Sequence, residues 1–121
     1  MSKTSASEPR LWVRVLTPKG GRIGPGMIAL LKAVRAEGSI AAAARSLNMS
    51  YRRAWKLIEA AGESLGAPVL ETSVGGADKG GAVLTEAGAR LVEVYDRIED
   101  AANAAAAPDL AALFEEVSGR S

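Results

Sequence analysis

Residues 38–58 read Gly38-Ser39-Ile40-Ala41-Ala42-Ala43-Ala44-Arg45-Ser46-Leu47-Asn48-Met49-Ser50-Tyr51-Arg52-Arg53-Ala54-Trp55-Lys56-Leu57-Ile58, and this stretch decides the fold. Apolar residues recur at Ile40, Ala43, Ala44 and Leu47, the i, i+3, i+4, i+7 spacing of an amphipathic helix. Ser39 stands where a hydroxyl can accept from the first free backbone N–H groups, so it is the expected N-cap. The same spacing restarts at Ala54, Leu57, Ile58 and Ala61, behind Ser50 as a second N-cap. Only Asn48 and Met49 part the two patterns, a link far too short for parallel packing. Two short helices joined by such a turn cross steeply, as in a helix-turn-helix.

Working outward, Met27, Leu30, Leu31 and Val34 predict a helix ahead of the motif, ending at Gly38, which suits a left-handed C-cap. Gly24-Pro25-Gly26 before it reads as a break. Leu11, Val13 and Val15 alternate with Trp12, Arg14 and Leu16, a strand signal over residues 11–17. Pro18-Lys19-Gly20-Gly21 is turn chemistry, so Arg22-Ile23 can return as the second strand of a hairpin. Beyond the motif, Leu65 extends the stripe before Gly66 and Pro68. Residues 69–74 and Ala82-Val83-Leu84 predict a second hairpin with the glycine-rich tip 75–81. Thr85 caps a long helix whose Leu84, Leu91, Ile98 and Ala105 recur every seven residues, beside a column of Ala87, Val94 and Ala101. That column reads either as packing on the chain's own core or as a dimer seam, since helices repeating at seven pair readily. Pro108-Asp109 predicts the start of a last short helix with Leu110, Leu113, Phe114 and Val117 on one face. The expected division is a flexible tail over 1–10, one domain with its dimerisation helix over 11–106, and the short helix over 107–121.

The 121 residues contain no cysteine and no histidine. Disulfides, Cys/His metal sites and Cys or Ser nucleophiles with a His base are therefore excluded, no cofactor is expected, and an enzyme is a poor reading. The N-terminus has no apolar core for a signal peptide, and no window approaches the ~18 apolar residues of a membrane span, so a cytoplasmic location is expected. Net charge is +1, but residues 1–58 carry +9 and residues 59–121 carry −8. Residues 38–58 hold Arg45, Arg52, Arg53 and Lys56 and no acid. An acid-free run on the helix-turn-helix itself points to a polyanion.

The order helix, helix-turn-helix, hairpin, long helix is a mainly α winged helix-turn-helix topology with small β-hairpins. In it the second motif helix enters the major groove of duplex DNA. Its outer face offers Ser50, Tyr51, Arg52, Arg53 and Lys56, with arginine able to fork onto guanine or grip phosphate. Arg45 and Lys79 are expected on phosphates, which position the protein while bases specify. Ser39, Gly80 and Thr85 complete the candidate DNA-binding set. Trp55 is expected to pack on the long or the first helix. The glycine-rich tip lacks the ending of a P-loop and the spacing of a dinucleotide fingerprint.

Gly38-Ser39-Ile40-Ala41-Ala42-Ala43-Ala44-Arg45-Ser46-Leu47 with Asn48-Met49-Ser50 resembles the helix-turn-helix of LysR-type regulators. Ser50-Tyr51-Arg52-Arg53-Ala54-Trp55, Glu71-Thr72-Ser73-Val74-Gly75-Gly76, and Gly80-Gly81-Ala82-Val83-Leu84-Thr85-Glu86-Ala87-Gly88 resemble the N-terminal domain of the molybdate-responsive ModE regulators, the likeness running over roughly residues 11–105. The resemblance implies a dimeric DNA-binding domain that reads its operator with the helix from Ser50 and uses residues 75–81 as the wing. Molybdate-binding domains of that family have no counterpart here, so molybdate binding is not carried over. The expected function is a transcriptional regulator binding a near-palindromic operator as a homodimer. The alternative is a winged-helix interaction module without specific DNA binding.

Overall fold

The computed structural model describes residues 8–73 and 80–119. Their elements run β1 (Val15–Leu16), β2 (Arg22–Ile23), α1 (Pro25–Glu37), α2 (Ile40–Ser46), α3 (Tyr51–Leu65), β3 (Leu70–Thr72), β4 (Ala82–Leu84) and α4 (Glu86–Gly119). Each hairpin is antiparallel, with Val15 opposite Ile23 in the first and Leu70 opposite Leu84 in the second. This is a winged helix-turn-helix architecture followed by a long helix. No described helix is long and apolar enough to cross a membrane.

Helix α1 is the centre of the core. Its Leu30, Leu31 and Val34 are wholly buried, and it touches α2, α3, α4 and β4. Burying each such side chain stabilises by about 1.5–3 kcal/mol. The helix starts inside the stretch read as a break, because Pro25 sits in its first turn. Proline there loses no helical hydrogen bond and brings a helical φ with it. Gly38 ends it at φ 83°, and its N–H returns to the Val34 carbonyl. Ala43 and Ala44 of α2 meet Ala54 and Ala61 of α3 in the core, all buried, so the two backbones can approach closely at a steep crossing. Between them Asn48 takes φ 58°, a left-handed conformation that asparagine tolerates better than most residues. Met49 N–H then donates to the Ala44 carbonyl at 2.9 Å, closing the turn.

Residues 11–17 keep the alternation the sequence shows, odd positions half-buried and even ones exposed, but only Val15 and Leu16 pair with another strand. The remainder runs along α4. Asn103 accepts from Leu11 N–H at 2.7 Å and donates to the Leu11 carbonyl at 3.3 Å, while the Tyr95 hydroxyl donates to the Val13 carbonyl. Side chains of α4 thus satisfy an edge that strand pairing leaves open. Burial, with the nearby charges of Glu99 and Asp96, raises the Tyr95 phenol above its usual value of 10.0. The folded chain therefore holds this proton more tightly than the unfolded chain does. The associated stability is complete below pH 10 and is lost as pH climbs from there through the raised value. Tyr95→Phe is expected to cost about 1 kcal/mol at neutral pH and to flatten this alkaline decline, read by urea unfolding across pH.

Helix α4 differs from the sequence expectation in two respects. It is continuous through Pro108, where a new short helix was expected. The alanines of residues 104–107 and Leu110-Ala111-Ala112-Leu113 are strong helix formers on both sides, so one proline at ~3 kcal/mol does not end the helix. Second, the seven-residue column is split between faces. Gly88, Leu91, Val92 and Tyr95 face the core, while Ala87 and Val94 are half-buried and Ile98, Ala101 and Ala105 are exposed. Residues 8–10 are exposed and irregular; residues 1–7 of the expected tail lie outside the described residues.

Candidate nucleic-acid interface

Two serine caps place the charged residues. Ser39 Oγ accepts from Ala42 N–H at 3.1 Å, and Ser50 Oγ accepts from Arg53 N–H at 3.0 Å. The second cap starts α3 at Tyr51, so Tyr51, Arg52, Arg53 and Lys56 occupy its first two turns, all exposed. Ala54, Ile58 and Ala61 bury the opposite face. Farther along, the exposed positions are Glu59 and Glu63, so the basic half of α3 is its N-terminal half. The helix dipole adds to that positive end.

The second hairpin closes against the start of the motif. Ala82 N–H donates to the Gly38 carbonyl at 2.8 Å, and Ser73 N–H donates to the Gly81 carbonyl at 3.0 Å. A Cβ on Gly81 would stand 3.3 Å from that Gly38 carbonyl, so glycine lets the hairpin base come this near. A groove of about 540 Å³ opens between α2, α3 and the hairpin. Ser39, Arg45, Tyr51 and Gly80 of the candidate set line it together, and no acid does. Thr72, Ser73 and Trp55 line it too. The two hydroxyl residues escaped the sequence reading, since only the β3–β4 register brings them beside Arg45. Trp55 is half-buried against the core, and its ring meets Tyr51 edge-on at 6.4 Å between centroids.

Arg52, Arg53 and Lys56 lie outside this groove, on the exposed face of α3 beside it. Thr85 belongs elsewhere. Its hydroxyl donates to the Pro68 carbonyl at 2.7 Å and accepts from Gly88 N–H at 3.0 Å, so it is committed to capping α4 and tying it to the chain before β3. Lys79 and most of the expected wing tip lie outside the described residues.

Comparison with known proteins gives a consistent picture. Residues 26–89 match the sequence model of the bacterial regulatory helix-turn-helix proteins of the lysR family. The chain is 46% identical over 85 residues to the molybdenum-pterin-binding protein MopB of Rhodobacter capsulatus, covering 70% of this chain and 32% of that protein. It is 39% identical over 72 residues to the DNA-binding transcriptional dual regulator ModE of Escherichia coli (strain K12), covering 60% of this chain and 28% of that one. The chain thus spans about a third of the length of these relatives. Among solved structures, a crystal structure of a CbnR_DBD–DNA complex superposes with a TM-score of 0.59 at 30% identity, over 73% of this chain and 95% of the other.

Proposed function

Because the chain belongs to the lysR family of bacterial regulatory helix-turn-helix proteins, we propose that it is a transcriptional regulator that binds duplex DNA sequence-specifically as a homodimer, without catalysis. The observation that carries this reading is the acid-free, cationic N-terminal half of α3, standing exposed beside the groove that Arg45 and Tyr51 line. A major groove is wide enough to take such a helix, and its arginines match guanine edges and phosphates. The structural neighbour is itself bound to DNA, and the E. coli relative is a DNA-binding regulator. In this mechanism α3 reads bases, while Arg45 and the groove hydroxyls of Thr72 and Ser73 hold the adjoining backbone.

The dimer reading rests on α4. Ala87 and Val94, with Leu65 and Ala67, line an apolar cleft of about 310 Å³, and Ile98 one turn on is 41% exposed. A second copy of the helix is the occupant that suits a seven-residue seam. Two-fold symmetry then demands a near-palindromic operator with half-sites one or more helical turns apart.

The test is selection from genomic fragments with the purified protein, followed by gel shifts at two salt concentrations. The expected result is one near-palindromic motif, bound at least ~10³-fold tighter than random DNA. Weak, sequence-blind binding that moderate salt abolishes would leave only a general polyanion surface, and the interaction-module alternative would replace this reading.

A further inference from the structure

We propose that the N-terminal hairpin is a second wing, on which Lys19 and Arg22 grip the phosphate backbone of duplex DNA on the flank of α3 opposite the β3–β4 hairpin. The inference rests on the DNA-binding reading above and assigns it an additional site.

The placement follows from α3 itself. Tyr51 and Trp55 mark the flank that faces β3–β4, since both line the groove there. Ala60 and Ser64 follow them by nine residues each, about two and a half helical turns, and so lie on the opposite flank. That flank is where the first hairpin packs. Ala60, Glu63 and Ser64 line a cleft of about 420 Å³ whose other wall is Lys19, Gly21 and Arg22. The approach is tight, because a Cβ on Gly21 would come within 2.6 Å of Ser64 Oγ. Between the two flanks lies the outward arc of α3 that carries Arg52 and Lys56. A duplex seated on that arc is bordered by one hairpin on each side.

The hairpin tip is built to hold a cation still. Gly20 N–H donates to the Thr17 carbonyl at 3.0 Å, and Thr17 N–H donates to the Gly21 carbonyl at 2.9 Å. Gly21 N–H also donates to Thr17 Oγ1 at 2.9 Å. Pro18 fixes the entry to the turn, and Gly20 takes φ 91°, the left-handed position that closes a three-residue loop. Lys19 is thereby displayed at the tip and Arg22 on the outer side of β2, both exposed. Among the described residues neither forms an ion pair, although Glu63 lines the same cleft. An arginine and a lysine without a carboxylate partner beside a DNA-reading helix suit phosphates, which need charge but no base-specific geometry.

The experiment measures binding of the full chain to its selected operator and to random duplex across a salt series, for wild type, Lys19→Ala/Arg22→Ala and Lys19→Glu/Arg22→Glu, with thermal melts of each. The alanine pair is expected to reduce the log–log salt slope by about 1.8, near 0.9 for each phosphate no longer neutralised, and to weaken operator and random DNA by the same factor. The glutamate pair is expected to weaken both further while melting as wild type does. A slope unchanged in both variants, with wild type binding normally, overturns the second wing and leaves the DNA-binding reading intact. The same holds if the variants lose melting temperature but no slope, since Lys19 and Arg22 would then serve Glu63 alone. Loss confined to the operator would make these residues base readers and overturn the phosphate assignment. A wild-type protein that binds no duplex overturns the parent reading and the second wing with it.

Discussion

Gly88→Ala is expected to destabilise the domain by about 3 kcal/mol, the upper part of the usual overpacking range, which lowers Tm by on the order of 10 °C. A Cβ at this buried position would stand 2.2 Å from the Val69 carbonyl oxygen and 3.1 Å from its carbon. Neither partner can yield cheaply. The same Val69 oxygen accepts from Thr85 N–H at 3.0 Å, and Thr85 Oγ1 joins the Pro68 carbonyl to Gly88 N–H. Alanine gains about 1 kcal/mol over glycine in helix propensity, so the clash outweighs the gain. Gly26 is the control. It lies in the first turn of α1, and a Cβ there meets nothing within 4 Å. Gly26→Ala is expected to stabilise by about 0.4–1 kcal/mol. Opposite signs from one substitution, read in paired thermal melts, would locate the effect where residue 88 meets residue 69. Equal signs would show that the start of α4 can move off Val69.

The close approach of Gly88 to Val69 also shows where sequence reading stops. Local signals were legible: Ser39, Ser50 and Thr85 cap the helices expected of them, and Gly38 and Gly66 end α1 and α3 in left-handed conformations. Caps and turn residues act within about four positions, so a linear pattern carries them. The candidate site was legible to the same depth. The cap at Ser50 and the helical period are enough to put Tyr51, Arg52, Arg53 and Lys56 on the outside of α3. What long-range packing decides was not legible. Thr85 reads equally well as a DNA contact and as a cap, until the Pro68 carbonyl is found against its hydroxyl. Thr72 and Ser73 carry no signal until strand register sets them beside Arg45. In α4 the sequence holds two overlapping periodicities, one facing the core through Leu91, Val92 and Tyr95 and one running along Ala87, Val94 and Ile98. A seven-residue count merges them, because Leu91 satisfies both. Pro108 fails as a stop for the converse reason. Propensity is a sum over the flanking residues, and alanines and leucines on either side outweigh one break.

The largest effects on function are expected from Arg52, and they should differ in kind from those of Arg53. The two are adjacent, so about 100° of helix rotation parts them. Arg52 lies on the outward arc, between the groove flank of Tyr51 and Trp55 and the hairpin flank of Ala60 and Ser64. Arg53 is turned toward the hairpin flank, nearer Lys19 and Arg22. On the proposed reading Arg52 enters the major groove and forks onto a base edge, while Arg53 reaches the backbone beside it. Arg52→Ala is expected to cost about 1–3 kcal/mol on the operator, roughly 10- to 100-fold in Kd, and to relax preference at one base position. Its binding to random duplex should fall only by the share that charge alone supplies. Arg53→Ala is expected to weaken operator and random DNA equally and to lower the salt slope by about one unit. Ser50→Ala separates position from charge. It removes the hydroxyl that accepts from Arg53 N–H at 3.0 Å while leaving every cation in place. A cap loss of about 1 kcal/mol should loosen the first turn of α3 and weaken the operator more than random DNA. Selection on a randomised operator, repeated for each variant, measures all three. If Arg52→Ala and Arg53→Ala lose affinity uniformly and alike, α3 lies along the backbone and base reading belongs to another element. If neither loses affinity, the N-terminal half of α3 is not the interface.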